Sequence, residues 1–399
     1  MKSHYDVVVI GAGPAGSVAA MCAAQAGLVT LLLEKRQEIG APVRCGEAIS
    51  YVSAEPFIPL DDRWVNAYID YFAIYNTRGE CVRVPPTEPT VVVDRKVFDL
   101  ALARRAAEAG AEVRASSAAT GLLRNAGGAV TGVTVRSLGR TYDVQARVVI
   151  AADGVESQAA RWAGLRTIPP LGDYYTGVQF LLSGMRGRME PNVCEYHVGP
   201  ETLAPGGYIW VFPKGEDIAN VGIVTSAGSG QHDRPQVLLE RFIERRYPGT
   251  GILAVVVGGI PITGALKRMV ADGLMVVGDA AHQADPLTAG GINLGMIGAD
   301  MAVRVAVEAI NAGDVSARAL RPYEQAWQRQ YGRMHGALYT IRKVLTRMKE
   351  QQFDALVHSA ATLPLERMSH AQALSTLLWN HPALLVEARA LITTGLLLK

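Results

Sequence analysis

Apolar positions near the start of the chain follow two different patterns. Residues 5–10 (YDVVVI) form an almost uninterrupted apolar run, which is typical of a strand buried on both faces. A glycine turn follows, and the alanine-rich stretch from Pro14 to Gly27 predicts a helix. VTLLLEK (29–35) then predicts a second strand. This order predicts a βαβ unit at the opening of an α/β fold.

The pattern changes along the rest of the chain. A helix is predicted over 97–109, and strands are predicted in AEVRA, AVTGVTVRS and YDVQARVVIAAD. Between about 170 and 262, strand-like runs separated by Gly, Pro and Asp indicate an antiparallel sheet. GLMVVGDAA (273–281) again predicts a buried parallel strand that leads into a helix.

These elements predict three regions of an α/β protein. The predicted regions are a discontinuous, Rossmann-like nucleotide-binding domain (1–165 and 263–320), an antiparallel β-sheet substrate domain (166–262) and a C-terminal helical region (321–399).

Composition narrows the class of protein. The 399 residues are 49% hydrophobic and 19% charged, which is typical of a globular chain with more than one core. The net charge is +2 and the chain has no dense block of Lys and Arg, so nucleic acid is not an expected partner. No apolar run is long enough to span a membrane. The four cysteines form no CxxC pair, which argues against a zinc site or a disulfide framework and favours the reducing cytoplasm.

The first glycine turn carries a GxGxxG pattern in its proper context. Gly11 is expected to make the tight turn, Gly13 to let a pyrophosphate approach the backbone, and Gly16 to let the helix pack on the strand. The free amides at the helix start then face the phosphates. Glu34, at the end of the second strand, is expected to accept hydrogen bonds from the adenosine ribose, and its charge disfavours NADP.

Two later motifs carry a resemblance to a known family. Residues 273–300 place Gly278-Asp279 after a buried strand and Gly290-Gly291 ahead of a helix. This arrangement resembles the FAD-dependent hydroxylases and reductases related to para-hydroxybenzoate hydroxylase. Asp94-Arg95 and Ala151-Ala-Asp153-Gly154 resemble two further motifs of that family.

The resemblance implies that Asp279 holds the ribityl hydroxyls of FAD and that Gly291 and Ile292 lie along the isoalloxazine ring. Asp153 has an alternative role as a helix cap, and His282 is expected to be structural or close to a phosphate. The complete set of predicted FAD contacts is Gly11, Gly13, Ala15, Gly16, Glu34, Arg44, Cys45, Gly46, Ala48, Arg95, Ala119, Asp153, Gly154, Asp279, Pro286, Gly290, Gly291 and Ile292.

PVRCGE (42–47) and YIWVFPK (208–214) narrow the resemblance to the geranylgeranyl reductase family, including the archaeal digeranylgeranylglycerophospholipid reductases. The similarity extends over roughly residues 1–330. It implies that reduced FAD transfers a hydride from N5 to isolated C=C bonds of geranylgeranyl chains. A monooxygenase or halogenase of the same fold, an electron-transfer dehydrogenase and a non-catalytic flavin-binding redox sensor are the alternatives.

Alternation along a strand places Tyr208, Trp210 and Phe212 on one face, where they could wall a cavity for a prenyl chain. The alternative is an ordinary aromatic core stripe. Cys45, Tyr208 and Trp210 are the predicted catalytic residues, although Cys45 could instead be a buried structural thiol. Lys214 is expected either to be exposed or to meet a phosphate head group.

The sequence leaves several partners open. The general acid could be Cys45, a tyrosine or an ordered water, and the electron donor could be ferredoxin, a deazaflavin or NAD(P)H. Reduction of several double bonds by one flavin predicts a long, open-ended tunnel. The apolar but interrupted segment 377–399 could lie at a membrane interface or pack against the protein. The expected location is the cytoplasm, with peripheral contact at the inner membrane face as an alternative.

Overall fold

The computed structural model describes residues 1–226, 233–363 and 376. Its strands, in chain order, are β1 His4–Ile10, β2 Thr30–Leu33, β3 Ala48–Ser50, β4 Val65–Ile69, β5 Tyr71–Tyr75, β6 Cys81–Val84, β7 Thr90–Val93, β8 Glu112–Arg114, β9 Ser117–Arg124, β10 Val130–Ser137, β11 Arg140–Ala151, β12 Tyr174–Ser183, β13 Val193–His197, β14 Tyr208–Pro213, β15 Ile218–Ser226, β16 Gly251–Pro261, β17 Val270–Ala271 and β18 Leu274–Val276.

Helices cover the sheets and form the end of the described chain. The α-helices are α1 Pro14–Gln25, α2 Tyr51–Ala54, α3 Arg95–Glu108, α4 Gln158–Trp162, α5 Pro235–Arg246, α6 Ile292–Ala312, α7 Ala317–Leu320, α8 Pro322–Trp327, α9 Arg333–Leu345 and α10 Glu350–Ala361. Single turns of 3-10 helix occur at Gly154–Glu156, Leu171–Asp173 and Gly278–Ala281, and a π-helical turn occurs at Gln328–Gly332.

An eight-stranded sheet forms the first layer. Its main order is β17-β18-β11-β1-β2-β8, and the parallel pairs β18/β11, β11/β1, β1/β2 and β2/β8 form its centre. Val7 of β1 lies between Thr30 of β2 and Val148 of β11. Because both faces are covered there, β2, β18, the second half of β1 and the last four residues of β11 are buried at every position and almost entirely apolar. The predicted βαβ opening is confirmed, and β18 joins the same sheet about 270 residues after β1.

A second sheet of seven strands has the order β16-β12-β15-β14-β13-β5-β6. Its pairs are antiparallel except β13/β5. One face packs against α5 through Phe180, Leu239 and Phe242, and the other carries a cluster of aromatic side chains. The predicted antiparallel sheet is therefore present. β5 and β6, which come from residues 71–84, also join it, and the sequence patterns did not identify either strand.

The end of the described chain is helical, as predicted. Phe353 and Val357 of α10 and Met348 pack against Val82 of β6 in a small separate core. None of the helices within the described residues is long and apolar enough to cross a membrane. The segment 377–399, expected either to lie at a membrane interface or to pack against the protein, lies outside the described residues.

Candidate active site

The GxGxxG turn contains three glycines, and the surroundings of each differ. Gly11 has φ +102°, and a Cβ there would lie 2.4 Å from the Ala152 carbonyl oxygen. A Cβ on Gly16 would lie 1.8 Å from the Gly11 oxygen. A Cβ on Gly13, by contrast, would meet nothing within 4 Å. Gly11 and Gly16 therefore permit the packing of α1 on the sheet, whereas Gly13 leaves open space at the helix start.

Glu34 orders the loops beside this turn. Its carboxylate accepts hydrogen bonds from the backbone N–H groups of Ala12 at 3.0 Å and Arg36 at 2.8 Å. Each carboxylate oxygen keeps a second lone pair, so these bonds leave room for a ribose hydroxyl. The placement is compatible with the predicted ribose contact, which stays a prediction.

A cavity of about 940 Å³ begins at Gly13 and extends between the two large sheets. The predicted site residues that line it are Gly13, Ala15, Arg44, Cys45, Gly46, Ala48, Arg95, Gly154, Tyr208, Trp210, Asp279, Gly290, Gly291 and Ile292. Those that lie outside its lining are Gly11, Gly16, Glu34, Ala119, Asp153 and Pro286. Two of these, Gly11 and Gly16, act through backbone packing, and Ala119 packs on the core of the first sheet.

Arg95 and Asp279 are charged groups in the lining of the cavity. Arg95 forms a bidentate ion pair with buried Asp99, at 2.6 Å and 2.7 Å. Burial raises the pKa of Asp279, and the positive charge of Arg95 opposes that rise. A Cβ on Gly291 would lie 2.9 Å from Asp279 Oδ1, so a glycine at the start of α6 lets this carboxylate approach the backbone. The Asp279 carboxylate, which lines the cavity, is thus placed to receive hydroxyl donors.

The Asp153 side chain binds a backbone donor at the start of α4. Its Oδ2 accepts a hydrogen bond from the Ala159 N–H at 2.8 Å, in the first turn of α4. Its Oδ1 is buried without a hydrogen-bond partner. The geometry therefore favours the helix-cap alternative for the side chain, and the FAD contact of Asp153 stays a prediction. His282 is likewise structural in its contacts, since its Nε2 lies 2.7 Å from the Thr167 carbonyl oxygen.

Glu47 joins the two motifs that carried the family resemblance. Its buried carboxylate accepts hydrogen bonds from Lys214 Nζ at 2.6 Å, from the Asn220 side chain, and from the Arg95 backbone N–H at 2.8 Å. The alternative of an exposed Lys214 is wrong, since its side chain is only 12% exposed and pairs with Glu47. The alternative of a contact with a phosphate head group stays a prediction. Each of the two motifs, PVRCGE and YIWVFPK, thus contributes one residue to a buried ion pair.

Asn220 was not identified from the sequence. Its side chain also donates to the Gly46 carbonyl oxygen at 3.3 Å, which fixes the loop that carries Cys45. The available signal was a lone amide within the apolar strand ANVGIVT, since a buried amide needs hydrogen-bond partners.

Cys45 lies at the cavity wall as a half-buried, free thiol. Its sulfur accepts a hydrogen bond from the Glu47 N–H at 3.2 Å. Burial raises the pKa of Cys45, although the nearby Arg95 guanidinium opposes the shift. The thiol therefore keeps its proton at neutral pH, and it can act as a weak donor rather than as a thiolate nucleophile.

Gly46 has a role that the sequence did not indicate. A Cβ at this position would lie 2.8 Å from the Phe212 ring and 3.3 Å from Trp210 Nε1. The glycine therefore lets the PVRCGE loop lie directly on the aromatic face of β14.

Tyr208, Trp210 and Phe212 share one face of β14 and all line the cavity. The Tyr208 hydroxyl donates to the Thr288 carbonyl at 2.6 Å, and Trp210 Nε1 donates to Gln179 Oε1 at 3.2 Å. Burial raises the pKa of Tyr208 well above its ordinary value, so this hydroxyl also stays protonated. The three rings belong to a core cluster and to the cavity wall at once.

The far end of the cavity is formed by side chains from separate segments of the chain, and the sequence patterns did not predict that they meet. Its apolar lining comes from β5, β6, α9, α10 and a loop, and includes Phe72, Ile74, Val84, Val198, Leu345 and Phe353. Buried Arg342 also lines it, and its guanidinium bonds Asp173 at 2.6 Å. Tyr339 donates to the second oxygen of the same carboxylate at 2.6 Å. This network fastens α9 to the segment that precedes β12.

The fold and the cavity define an FAD-dependent oxidoreductase. Residues 6–167 match the family model of FAD dependent oxidoreductases. The fold is shared with a flavin-dependent brominase, with a TM-score of 0.70 and 18% identity over 97% of this chain and 99% of the other. The residues present fit FAD, since the open space at Gly13 and the cavity-lining carboxylate of Asp279 belong to one cavity.

More similar proteins identify the family. Residues 173–260 match the geranylgeranyl reductase catalytic domain. Digeranylgeranylglycerophospholipid reductases of Methanocella arvoryzae and Methanosarcina mazei are 40% and 42% identical; each alignment covers 98% of this chain, and 100% and 97% of theirs. A geranylgeranyl bacteriochlorophyll reductase-like protein from Thermoplasma acidophilum has a TM-score of 0.91 and 35% identity over 97% of this chain and 99% of its own. This chain belongs to the geranylgeranyl reductase family, which confirms the resemblance drawn from its motifs.

Proposed function

We propose that the protein uses FAD to saturate C=C bonds in the geranylgeranyl chains of digeranylgeranylglycerophospholipids. The observation that supports this most directly is the continuity of the cavity. It joins the glycine-rich end near Gly13 and Asp279 to an apolar section walled by Tyr208, Trp210 and Phe353. A prenyl chain needs an apolar channel of this kind.

The glycine-rich end is the proposed cofactor site. The free amides at the start of α1 receive the pyrophosphate beside Gly13, and Asp279 receives the ribityl hydroxyls. Gly290, Gly291 and Ile292 form the surface against the ring. When bound and reduced, the flavin supplies a hydride to the alkene. An external donor, either ferredoxin, a reduced deazaflavin or NAD(P)H, supplies the electrons.

The aromatic face of β14 positions the substrate. Tyr208 and Trp210 are held by hydrogen bonds to Thr288 and Gln179, so their rings form a rigid wall against which an isoprenoid unit can lie. Because an isolated alkene has no carbonyl to accept charge, its alignment and the exclusion of water from the cavity both matter.

Cys45 is the proposed proton donor. Its thiol lines the same cavity and carries its proton at neutral pH, because burial raises its pKa. Arg95 lies close enough to oppose that shift, so its positive charge would stabilise the thiolate left after the proton moves to the second alkene carbon. Solvent water then returns a proton to the sulfur.

The function is tested anaerobically with dithionite-reduced protein and a detergent-solubilised digeranylgeranylglycerophospholipid. Mass spectrometry should show that each saturated bond adds two hydrogen atoms to the lipid. Cys45→Ser should slow this reaction while FAD stays bound, and the three proposed donors can then replace dithionite in parallel reactions. Absence of saturated lipid from FAD-loaded, reduced protein would refute the proposal, and incorporation of oxygen under air would instead indicate a monooxygenase.

A further inference from the structure

In the part of the chain that the structure describes, β16 forms an exposed apolar edge of the second sheet. Within the described residues it pairs only with β12. Its sequence, GILAVVVGGIP, contains no charged residue, and none occurs between Arg246 and Lys267. Four of its large side chains are 54–57% exposed, namely Ile252, Leu253, Val255 and Val257. Long, uncharged edge strands promote association, and contiguous apolar patches of this kind mark interaction surfaces.

The exposed side chains of β16 lie on the same face of the sheet as the core residues of β12 that α5 covers. Val255 and Val257 lie opposite Phe180 and Val178 in the β12/β16 register. Phe180 and Val178 are buried in the core that α5 covers. The face of β16 that extends beyond α5 therefore has the apolar character of a core, yet its side chains are more than half exposed.

The intervening residues of the same strand reach the active site. Val256, Gly258, Gly259 and Ile260 line the cavity, and Val256 lies opposite the cavity residue Gln179. The exposed patch and the cavity wall are thus two faces of one strand. A molecule that covers the patch lies at the edge of the cavity.

Basic residues lie at both ends of the strand. Exposed Arg44 packs on Gly258, since a Cβ there would lie 3.6 Å from the Arg44 side chain. Exposed Arg188 donates to the Pro248 carbonyl, just before the strand begins. Neither arginine forms an ion pair within the described part of the chain. Arg44 also lines the cavity and lies near Glu156, so its end of the strip adjoins the site. An apolar strip with an arginine at each end is complementary to an anionic lipid surface.

The same charges disfavour a second copy as the occupant. Two β16 strands related by a two-fold axis would pair antiparallel, so the Arg188 end of one copy would meet the Arg44 end of the other. Like charges at both ends of such an interface oppose pairing.

We propose that the β16 edge, defined by Ile252, Leu253, Val255 and Val257 and bordered by Arg44 and Arg188, docks on an anionic phospholipid bilayer. The choice of a lipid occupant rests on the proposed lipid substrate. The side chains enter the interfacial layer only, because backbone N–H groups of an open edge must keep their contact with water. Docking in this orientation places the cavity wall next to the membrane that holds the substrate.

Flotation of the FAD-loaded full chain with vesicles tests the proposal. Vesicles of phosphatidylglycerol should bind the protein, vesicles of phosphatidylcholine should bind it much less, and added salt should weaken binding. Val255→Glu with Val257→Glu should lower partition into phosphatidylglycerol vesicles at least about tenfold, because two inserted apolar side chains become charged. The matched control is Leu138→Glu, which alters a side chain 87% exposed in the β10–β11 turn and should leave binding unchanged.

Further measurements separate this proposal from the catalytic one. The Val255→Glu, Val257→Glu protein should reduce detergent-solubilised lipid at the unaltered rate, since neither side chain lines the cavity. Wild-type binding by the variant, or equal binding to both kinds of vesicle, would overturn the docking proposal while leaving the reductase function intact. A wild-type dimer in sedimentation velocity that the two substitutions dissociate would assign the edge to a second copy instead. Strong vesicle binding without any lipid reduction would count against the proposed function only.

Discussion

The buried pair between Glu47 and Lys214 allows a quantitative test of how the two family motifs cooperate. Lys214→Met removes the cation but keeps an apolar stem of similar length. Of its described donors, the Glu47 carboxylate, 1% exposed, then keeps Asn220 and the Arg95 N–H. Loss of one partner of a buried ion pair costs about 3–5 kcal/mol. Since two neutral donors remain, we expect a loss of unfolding free energy of about 3 kcal/mol, at the lower end of that range.

Urea unfolding of the wild type, Lys214→Met, Glu47→Gln and the double variant measures the pair directly. The double variant should be less destabilised than the sum of the single changes, with a coupling of at least about 1 kcal/mol. The control is Glu108→Gln, which breaks the exposed Arg104–Glu108 pair and should change stability by no more than about 0.5 kcal/mol.

Loss of the Glu47–Lys214 pair should also affect the site, because Glu47 directly follows Cys45 and Gly46. Retained FAD, measured by its visible absorbance, should therefore fall in Lys214→Met and stay unchanged in Glu108→Gln. A loss of unfolding free energy below about 1 kcal/mol in Lys214→Met, with additive single and double changes, would refute the assignment of Glu47 as the buried link between the motifs.

Three further outcomes are expected. Gly13→Val should leave apo-protein thermal stability nearly unchanged, because no atom lies within 4 Å of its Cβ, yet abolish FAD retention; normal FAD content would contradict the phosphate site. The rate of Cys45 alkylation should rise with pH around a midpoint above that of a free thiol, because burial raises the Cys45 pKa, and a midpoint below about 8 would contradict this. Burial raises the pKa of Glu112, but hydrogen bonding from Tyr5 and neighbouring cations outweigh it and lower this pKa to about 2. The ionised carboxylate therefore contributes to the free energy of unfolding above its unfolded pKa of about 4.3, and this contribution is lost as the pH falls toward 2. Glu112→Gln should therefore flatten the acid dependence of urea stability in that range, and an unchanged dependence would exclude this role.

Local patterns were sufficient for the nucleotide-binding opening. β1, α1 and β2 follow directly from a buried apolar run, a glycine turn and a second run, since each signal lies within a few residues of the element that it specifies. The aromatic face of β14 also followed from simple alternation along a strand. The role of Lys214 did not, because its partner lies 167 residues away in another motif.

The lining of the far end of the cavity also could not be predicted from local sequence patterns. Phe72 and Val84 belong to short strands without a clear periodic signal, and they become cavity wall only because β5 pairs with β13 and α10 packs on β6. The exposed β16 edge is equally invisible in the sequence, where GILAVVVGGIP has the composition of a buried strand.

By itself, the sequence determined the class of fold, the family and the chemistry of the glycine-rich end, because those depend on residue types at short, regular spacings. The tertiary structure alone decided which distant side chains meet, which charges pair in the interior, how far the cavity extends and which apolar strand stays open. These are properties of long-range contacts, and the pairing of segments far apart in the chain depends on the packing of the whole molecule rather than on any local pattern.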